Sequence, residues 1–515
     1  MKETRSLIHD WYKIRLDDQS SLGDSLIFCG LSLWDLVEWE MQYDFMDGII
    51  ENLESGQQRI SIRKKLRSIL ARYYVNLKAI HLKRHAQSLN LVTDLEKEVS
   101  DHRKILIITY VQNHIETIAP VIEELEKDKK NEILVIAFDV TDQKQLQSKR
   151  IPYKFYKDYV DRKTRARIKD NVNQLSKTWH KASKNRDFRN SFTYKNMSLW
   201  GMIETDLTFL FRYRFRDIIS QIEIINSILT IEKPDVVIAL NDVIMPGRAA
   251  VKLANSRSIP TLTIQHGIIA LPFGYTPVSA QKMAVWGEAS QKLLVGMGEN
   301  PAKLFVTGAP QYEDLFKHKD LKNRQAVFQD IDLDLSTKMI LLATDCTELN
   351  KTPQLLPCLL NTIDSIDNCC LVIKPHPGEG RKKYERFIKK GKHNVIVSQG
   401  IDMFDLLNAS DAVITIQSTV GLEAIILDKP LITINLTGKP DNVSYAESEV
   451  AIGVHNEAEI NSALRKTLNI DKITEETVSQ CREKFLSAQL YRTDGCAARR
   501  IADLVKNMFE KNRRS

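Results

Sequence analysis

The sequence predicts an α/β protein made of two consecutive Rossmann-like, doubly wound domains that follow a helical amino-terminal region. The first observation is that short apolar runs, such as residues 105–108 and 371–373, alternate with stretches of helical periodicity. This alternation is typical of βαβ units and a parallel sheet. The second observation is that several runs end in loops with small or polar residues, which is where an open parallel sheet binds ligands. These loops therefore hold the candidate functional residues.

The first hundred residues show helical periodicity and no strand that leads into a βα loop. Leu33, Leu36 and Val37 recur at the i, i+3 and i+4 spacing of one helix face, and residues 60–91 form a basic amphipathic stretch. We interpret residues 1–100 as a helical accessory region.

Residues 101–281 are predicted to form the first domain. Its predicted strands are residues 105–108, 133–137, 236–240 and 261–264, and its clearest helices are residues 116–126 and 248–256. Between residues 142 and 190 the periodicity becomes helical, and fifteen Lys or Arg residues are opposed by only five Asp residues. That excess is larger than the net charge of +7 for the whole chain. We interpret residues 142–190 as a basic helical insertion.

Residues 282–472 are predicted to form the second domain, and residues 473–515 a helical tail. The predicted strands are residues 282–287, 304–308, 339–343, 370–373, 395–397, 412–416 and 431–434. Helical patterns lie between most of them, as a second doubly wound sheet requires.

Composition excludes several classes of protein. The net charge of +7 with 27% charged residues permits anionic substrates or a membrane surface, but it is too diffuse to indicate nucleic-acid binding. The seven cysteines form no C-x-x-C pair, so they predict neither a zinc site nor a disulfide framework. No apolar run approaches the roughly 18 residues that span a bilayer. We expect a cytoplasmic protein, with at most peripheral contact with the inner face of the membrane.

Two strand-to-loop transitions in the second domain carry the strongest signal. One strand ends in Lys374-Pro375-His376-Pro377, and another leads into Ser418-Thr419-x-Gly421-x-Glu423. A turn of small residues that opens a helix points its N–H groups at an anion, which suits a phosphate. The alternative for Ser418 and Thr419 is plain helix capping, and for His376 a loop histidine that caps a neighbouring helix.

These two motifs, followed by Lys429-Pro430-Leu431-Ile432, resemble the GT-B glycosyltransferase superfamily. The similarity is greatest to the branch with capsule and surface-polysaccharide transferases, CDP-glycerol glycerophosphotransferases and UDP-N-acetylglucosamine 2-epimerases. It covers roughly residues 100–475 and is strong for the second domain. In the first domain only Gln265-His266-Gly267 matches the His-Gly loop of the glycerophosphotransferases, and the lysine-bearing continuation of that loop is missing.

The resemblance implies a GT-B fold whose two domains face a cleft, with a nucleotide diphosphate held mainly by the second domain. Ser418, Thr419 and the close-packing Gly421 would hold the pyrophosphate, while Glu423 would accept hydrogen bonds from the ribose. The alternative for Glu423 is a carboxylate that complements the helix dipole. The other residues assigned to the donor and its leaving group are Lys374, His376, Asp345, Thr347 and Gly308. Asp345 and Thr347 could equally form an ordinary turn, and Gly308 resembles the turn that links the two domains.

His266 ends a first-domain strand and is the leading candidate for the general base, since a neutral imidazole can take a proton from an acceptor hydroxyl. His114, Glu116 and Asp242 follow other first-domain strands and could do the same. Alternatively, His114 and Glu116 cap a helix and Asp242 supports a turn.

No metal or cofactor is expected. The one dense acidic run, Asp330-Ile331-Asp332-Leu333-Asp334, precedes a strand, whereas a metal-dependent transferase needs its acidic pair at the end of one. A nucleotide sugar would be the substrate, and the charge on the leaving diphosphate would be stabilised by a helix amino terminus, Lys374 and His376.

The preferred hypothesis is a transferase for polysaccharide or capsule biosynthesis, which moves a sugar or polyol phosphate from a nucleotide donor to a surface glycan or lipid-linked acceptor. The basic segment could hold an anionic acceptor or contact anionic lipid, or be a solvated helical face. One alternative is a UDP-N-acetylglucosamine 2-epimerase, although the loop after residue 108 lacks the Gly-Thr-Arg-Pro-Glu type of sequence those enzymes carry. Another is a non-catalytic nucleotide-binding protein on the same fold.

Overall fold

The structure is a computed structural model of the chain. It describes residues 10–15, 21–41, 102–110, 113–269, 272, 274–316, 321–344, 352–376, 379–388, 394–416, 418–438, 440–468 and 472–512. The amphipathic stretch predicted at residues 60–91 lies outside these ranges. Two parallel sheets, buried on both faces, carry the fold. The predicted α/β class with two doubly wound domains is confirmed.

The first sheet has seven parallel strands in the order β7-β6-β5-β4-β1-β2-β3. In chain order they are Arg103–Thr109 (β1), Asn131–Ala137 (β2), Tyr153–Phe155 (β3), Val236–Ala239 (β4), Thr261–Ile264 (β5), Lys282–Val285 (β6) and Leu304–Val306 (β7). The direction of winding reverses between β1 and β4, so the carboxyl ends of these strands border a crevice.

The second sheet has six parallel strands in the order β10-β9-β8-β11-β12-β13. They are Lys338–Ala343 (β8), Cys369–Lys374 (β9), Val395–Val397 (β10), Ala412–Thr415 (β11), Leu431–Ile434 (β12) and Ile452–Val454 (β13). Its winding reverses between β8 and β11, so the crevice of this domain opens where the Ser418 loop begins.

Helices cover both sheets. Those of the first domain are Leu33–Glu40 (α1), Asn113–Glu126 (α2), Val140–Ser148 (α3), Arg162–Ala182 (α4), Arg186–Asn190 (α5), Trp200–Phe209 (α6), Phe215–Glu232 (α7), Gly247–Ser256 (α8) and Glu288–Gly296 (α9). The later helices are Glu313–Phe316 (α10), Arg324–Asp330 (α11), Thr352–Asp364 (α12), Lys382–Ile388 (α13), Met403–Ala409 (α14), Thr419–Ile426 (α15), Glu459–Leu468 (α16), Lys472–Leu490 (α17) and Ala497–Asn512 (α18). Among the described helices, none has the length and apolar character needed to cross a membrane.

Short elements complete the fold. The 3₁₀ helices are Asp24–Leu26, Tyr156–Tyr159, Pro301–Lys303 and Pro310–Tyr312, and the π-helical turn Leu210–Arg214 joins α6 to α7. Two small hairpins pair Ile27–Phe28 with Leu31–Ser32 and Thr193–Tyr194 with Met197–Ser198.

The domain boundary predicted at residue 282 is wrong. β6 pairs with β5 and β7 pairs with β6, so both strands complete the first sheet. The chain passes to the second domain only after β7. The cause of the error is that buried parallel strands are all uniformly apolar, so composition does not reveal which sheet a strand joins.

The predicted helical insertion at residues 142–190 also needs correction. Tyr153–Phe155 within it is the edge strand β3, paired with β2, and its Tyr153 and Phe155 side chains are buried. The basic helix α4 then packs on α7. Part of the segment therefore belongs to the sheet and the helical layer of the first domain. The sequence did not indicate β3 because a strand of three residues is too short to show a periodicity.

The described part of the amino-terminal region packs into the first domain. Leu33, Leu36 and Val37 on α1 are fully buried in the core that α4, α7 and α8 share, which confirms the predicted helix face. Asp35 on the same helix forms an ion pair with the buried Arg248, at 3.1 Å.

The carboxyl-terminal helices tie the domains together. α17 packs Phe485 and Leu490 into the second-domain core, whereas α18 crosses back and packs Ile501 and Val505 against the first sheet. The chain therefore crosses between domains twice. The two crossings are bonded to each other, since Arg500 Nε donates to the Thr307 carbonyl at 2.7 Å.

Candidate active site

The Gln265-His266-Gly267 loop at the end of β5 is held rigidly. The Gln265 side chain accepts a hydrogen bond from the Trp286 backbone N–H at 2.9 Å and donates one to the Gly267 carbonyl at 2.9 Å. The Trp286 indole N–H in turn donates to the Gln265 carbonyl at 3.0 Å. Because the Gln265 side chain is fully buried and its amide oxygen and nitrogen are both hydrogen-bonded, the loop is fixed. His266 therefore has a defined position at the carboxyl edge of the sheet.

His266 lies within an aromatic cluster. Its ring stacks on Tyr275, with centroids 5.2 Å apart, and meets His114 edge-on at 5.3 Å. Its Nδ1 has no hydrogen-bond partner in the described structure. Burial lowers the pKa of His266 to about 4, so its imidazole is neutral at physiological pH and has a lone pair to accept a proton.

His114 is the second histidine of the cluster. It lies in the first turn of α2, not in the loop the sequence predicted, and it is completely buried. Neither ring nitrogen has a protein partner among the described residues. Burial, with a smaller contribution from His266, lowers the pKa of His114 well below its ordinary value. Glu116, by contrast, is exposed and pairs with Lys149 at 3.3 Å.

Asp242 has a structural role. Its Oδ2 accepts hydrogen bonds from the backbone N–H groups of Ser279 and Ala280, each at 2.7 Å. The preceding Asn241 accepts from the N–H groups of Val243 and Ile244. Asp242 thus anchors the chain that enters β6. The turn after β4, which the sequence assigned to Asp242 as an alternative role, is stabilised by Asn241 instead.

Two residues that the sequence did not single out belong to this edge of the sheet. Asp142, near the start of α3, and Thr109, the last residue of β1, are fully buried. The Thr109 hydroxyl is near enough to lower the pKa of Asp142 slightly, but none of their three side-chain oxygens makes a hydrogen bond of normal geometry in the described chain. Burial dominates and raises the pKa of Asp142 to about 7. Local sequence carries no sign of this, because Asp142 resembles an ordinary first-turn acid.

In the second domain, Ser418 and Gly421 shape the start of α15. The Ser418 hydroxyl accepts a hydrogen bond from the Val420 N–H at 3.3 Å, so it is the helix cap, and the Tyr445 hydroxyl donates to the Ser418 carbonyl at 2.9 Å. A Cβ atom at Gly421 would lie 2.8 Å from the Tyr445 ring. The helix therefore begins tightly against Tyr445, with its amino terminus directed toward the cleft edge.

Thr419, at the start of α15, faces the first domain. A Cβ atom at Gly267 would lie 4.0 Å from the Thr419 Oγ1. The His266 loop and the start of α15 are thus on opposite walls of one narrow cleft. This is the arrangement the resemblance implied.

Glu423 lies one turn further along α15. Its Oε1 accepts a hydrogen bond from the Tyr312 hydroxyl at 3.2 Å. Burial, with a smaller contribution from Asp402, raises the pKa of Glu423 to about 7.

The loops after β8 and β9 are linked by a polar network. The Thr344 hydroxyl accepts from the His376 backbone N–H at 2.9 Å and donates to Glu379. The Lys374 ammonium donates to the carbonyls of Gln399 and Ile401, so it supports the loop after β10. The His376 side chain is exposed at the end of β9.

The remaining predicted residues fall into two groups. Asp345 and Thr347 lie outside the described residues. Gly308, at φ +92°, is in the first crossing between domains, where an added Cβ would lie 2.9 Å from Ala497 on α18. It thus allows α18 to pack closely against the first crossing between domains. No group of three or more His, Cys, Asp or Glu side chains that could hold a metal is found in the described part of the chain.

Comparison with known proteins places this geometry in context. The family model of UDP-N-acetylglucosamine 2-epimerases matches residues 273–506, which is somewhat less than half of the chain. A search of curated protein sequences finds no significant match. The match begins after His114, Asp242 and His266, so it covers the second-domain side of the cleft and omits these three first-domain residues.

Solved structures share the fold at low sequence identity. A candidate UDP-N-acetylglucosamine 2-epimerase from Listeria monocytogenes aligns with a TM-score of 0.54 and 18% identity, over 80% of this chain and 97% of its own. MnaA of S. aureus, solved with UDP, gives 0.51 and 17%, over 78% and 96%. A glycosyltransferase from Rickettsia africae gives 0.50 and 13%, over 79% and 99%.

The epimerase family match supports an enzyme that acts on nucleotide sugars. At such identities the structures establish the fold alone. The chain has the GT-B fold, and its residues 273–506 resemble the UDP-N-acetylglucosamine 2-epimerases.

Proposed function

We propose that the protein is a glycosyltransferase that moves a sugar, or a polyol phosphate, from a nucleotide donor to a hydroxyl of a glycan or lipid-linked acceptor. The observation that carries the proposal is the pair of neutral histidines, His114 and His266, with unpartnered nitrogen atoms at the carboxyl edge of the first sheet. They lie across the cleft from the start of α15, which suits the donor diphosphate.

The chemistry follows from these positions. An acceptor hydroxyl donates a hydrogen bond to the neutral His266 imidazole and loses its proton to it as the new bond to the donor forms. In sugar transfer, the bond between the sugar and the nucleoside diphosphate breaks, and the diphosphate takes up the electron pair. In transfer of a polyol phosphate, the bond between the transferred phosphorus and the oxygen that bridges the two phosphorus centres of the donor breaks instead, and the leaving nucleoside monophosphate takes up the pair. The N–H groups at the amino terminus of α15 stabilise that charge. No metal is required in this proposal.

Epimerisation of UDP-N-acetylglucosamine is the second candidate, and the family match at residues 273–506 is the observation that favours it. It shares the nucleotide site and needs no acceptor. The two candidates differ in the first-domain residues they need. Two imidazoles, His114 and His266, lie at that edge of the sheet with His114 fully buried, while the nearby Asp242 carboxylate is bound to backbone.

The acceptor is proposed to be anionic or to lie at an anionic surface. Helix α4 exposes a row of basic side chains, with the opposite face packed on α7. The exposed members are Arg162, Lys163, Arg165, Lys169, Lys177 and Lys181. Such a row attracts phosphate-bearing glycans or lipid headgroups.

The test is to incubate the purified chain with UDP-N-acetylglucosamine and other nucleotide sugars, with and without octyl glycosides as acceptor probes, in the presence of EDTA. Nucleoside diphosphate release and product are followed by NMR. We expect release that rises with acceptor and survives EDTA. Conversion of UDP-N-acetylglucosamine to its 2-epimer without acceptor would establish the second candidate. Binding of nucleotide without any turnover would indicate a non-catalytic protein.

A further inference from the structure

Tyr312 links the first crossing between domains to the nucleotide side of the cleft. It ends the 3₁₀ helix Pro310–Tyr312, which packs against α2 of the first domain. Its ring is 2% exposed and meets Trp286 edge-on, with centroids 5.6 Å apart. Its hydroxyl reaches into the second domain and donates to Glu423 at 3.2 Å. Residues 111 positions apart therefore meet at one hydrogen bond.

Glu423 has few other means of support. In the part of the chain that the structure describes, no cationic side chain forms an ion pair with it. The charged and titratable groups that face Glu423 are Tyr312 from the first crossing between domains, Asp402 from the start of α14, and Tyr445, whose ring packs on the start of α15. Burial and Asp402 both disfavour the carboxylate, and the Tyr312 hydrogen bond favours it.

We propose that Tyr312 is a positioning residue, whose hydroxyl holds the Glu423 carboxylate in the orientation that accepts hydrogen bonds from the ribose hydroxyls of the donor nucleotide. The inference rests on the donor site of the proposed function. Thr419 and Glu423 are four residues apart and so lie on one face of α15. A diphosphate at the start of the helix therefore places the adjoining ribose beside Glu423, about one turn along.

The proposal has a pH signature. Only the ionised carboxylate accepts from both ribose hydroxyls, so affinity for a ribonucleotide rises as pH increases through the pKa of Glu423. Removal of the Tyr312 hydroxyl removes a bond that favours the carboxylate, which raises that pKa and moves the rise in affinity to higher pH. A ribose without its 2′-hydroxyl gains less from Glu423 and is less sensitive to both changes.

The experiment is calorimetric titration of the full chain with UDP and with 2′-deoxy-UDP between pH 5.5 and 9, for wild type and Tyr312→Phe. If UDP is not the nucleotide, CDP and GDP with their deoxy forms replace it. We expect Tyr312→Phe to weaken ribonucleotide binding about fivefold to tenfold at pH 7, as for the loss of one ordinary hydrogen bond, with recovery at pH 9 and a smaller effect on the deoxy form. The phenyl ring keeps the contact with Trp286.

Tyr153→Phe is the matched control. Tyr153 is a buried tyrosine of the edge strand β3 whose hydroxyl makes one hydrogen bond, with Gln147 at 2.9 Å. We expect this variant to bind like wild type at every pH. Equal weakening of ribo and deoxy ligands by Tyr312→Phe at all pH values, or no weakening, would overturn the inference alone. Failure of the wild-type chain to bind any of these nucleotides would overturn the proposed donor site as well.

Discussion

The two walls of the cleft are built differently. On the second-domain wall three of the proposed site residues are bonded within the protein: Ser418 caps α15, Lys374 holds a loop and Glu423 is held by Tyr312. The buried atoms without a partner in the described second-domain strands are the hydroxyls of Thr415 and Thr433. On the first-domain wall, several buried polar atoms have no protein partner in the described structure. They belong to Thr109, His114, Asp142 and His266.

This difference indicates a division of labour. Side chains that internal hydrogen bonds already hold in place suit the recognition of a part that all donors share, such as the nucleotide. On the second-domain wall that recognition would use backbone N–H groups and one oriented carboxylate. Buried polar atoms without partners reduce stability and are found where a ligand or reaction supplies the missing bonds. The first wall is accordingly the site of acceptor and proton transfer in the proposed function.

The largest expected effect is that of His266→Ala. Loss of the proposed general base should lower turnover by about 100-fold to 10,000-fold, while nucleotide affinity stays within about threefold, because the proposed nucleotide site is on the other wall. Turnover is measured from product formed in reactions quenched at set times, and nucleotide affinity is measured by separate binding titrations. His455→Ala, at an exposed second-domain histidine, is the control and should retain wild-type turnover. Unchanged turnover in His266→Ala would remove His266 from the mechanism.

Gly421→Ala tests the rigidity of the second wall. The new methyl group would press on the Tyr445 ring, so we expect a loss of about 1–3 kcal/mol in the free energy of unfolding and weaker nucleotide binding. Thermal melts with and without UDP report both quantities. Gly296→Ala at the end of α9 meets nothing within 4 Å and should be neutral. Equal behaviour of the two variants would contradict a tightly packed start of α15.

Asp142→Asn tests the first wall through stability. The pKa of Asp142 is raised to about 7 in the folded chain, above its ordinary value, so the folded state binds the extra proton and wild-type stability falls as pH rises from about 4 to 7. Above that window the neutral asparagine should be more stable than wild type by about 4 kcal/mol, with little difference near pH 4.

The measurement is unfolding by urea at pH 4.5 and pH 8, together with turnover. Asp170→Asn, at an exposed position on α4, should show no such pH-dependent gain. A gain in stability with reduced turnover would assign Asp142 to ligand binding. Lower stability of Asp142→Asn at pH 8 would mean that the carboxylate is bonded within the protein.

The smallest effect is expected on the outer surface of the first domain. Lys169→Glu on α4 should weaken binding to vesicles that contain phosphatidylserine by about 1–2 kcal/mol, because one positive charge near the surface is replaced by a negative one. Sedimentation with vesicles at low salt measures it. Lys292→Glu, an equally exposed position on α9, is the control. Equal binding by both variants and wild type would indicate that α4 is a solvated face.

Local pattern accounts for most elements of the fold. The predicted strands that became β1, β2, β4, β5, β8, β9, β10, β11 and β12 are found, as is the buried face of α1. They could be predicted because β-branched runs and i, i+3, i+4 spacing are properties of neighbouring residues. The three residues of β3 are too few to show a strand periodicity, so the sequence places them within a helical segment. β6 and β7 were recognised as strands and assigned to the wrong sheet.

The sequence by itself determined two doubly wound domains, the loops at their carboxyl edges and the start of α15 at Ser418, since each depends on residues within a few positions of one another. Only the tertiary structure decided that Asp242 anchors backbone and that Tyr312 holds Glu423. It also decided that the Asp142 and His114 side chains are buried without a hydrogen-bond partner among the described residues. Those outcomes depend on burial and on contacts between residues far apart in the chain. No local pattern encodes them, because a side chain's partner is set by the packing of whole elements.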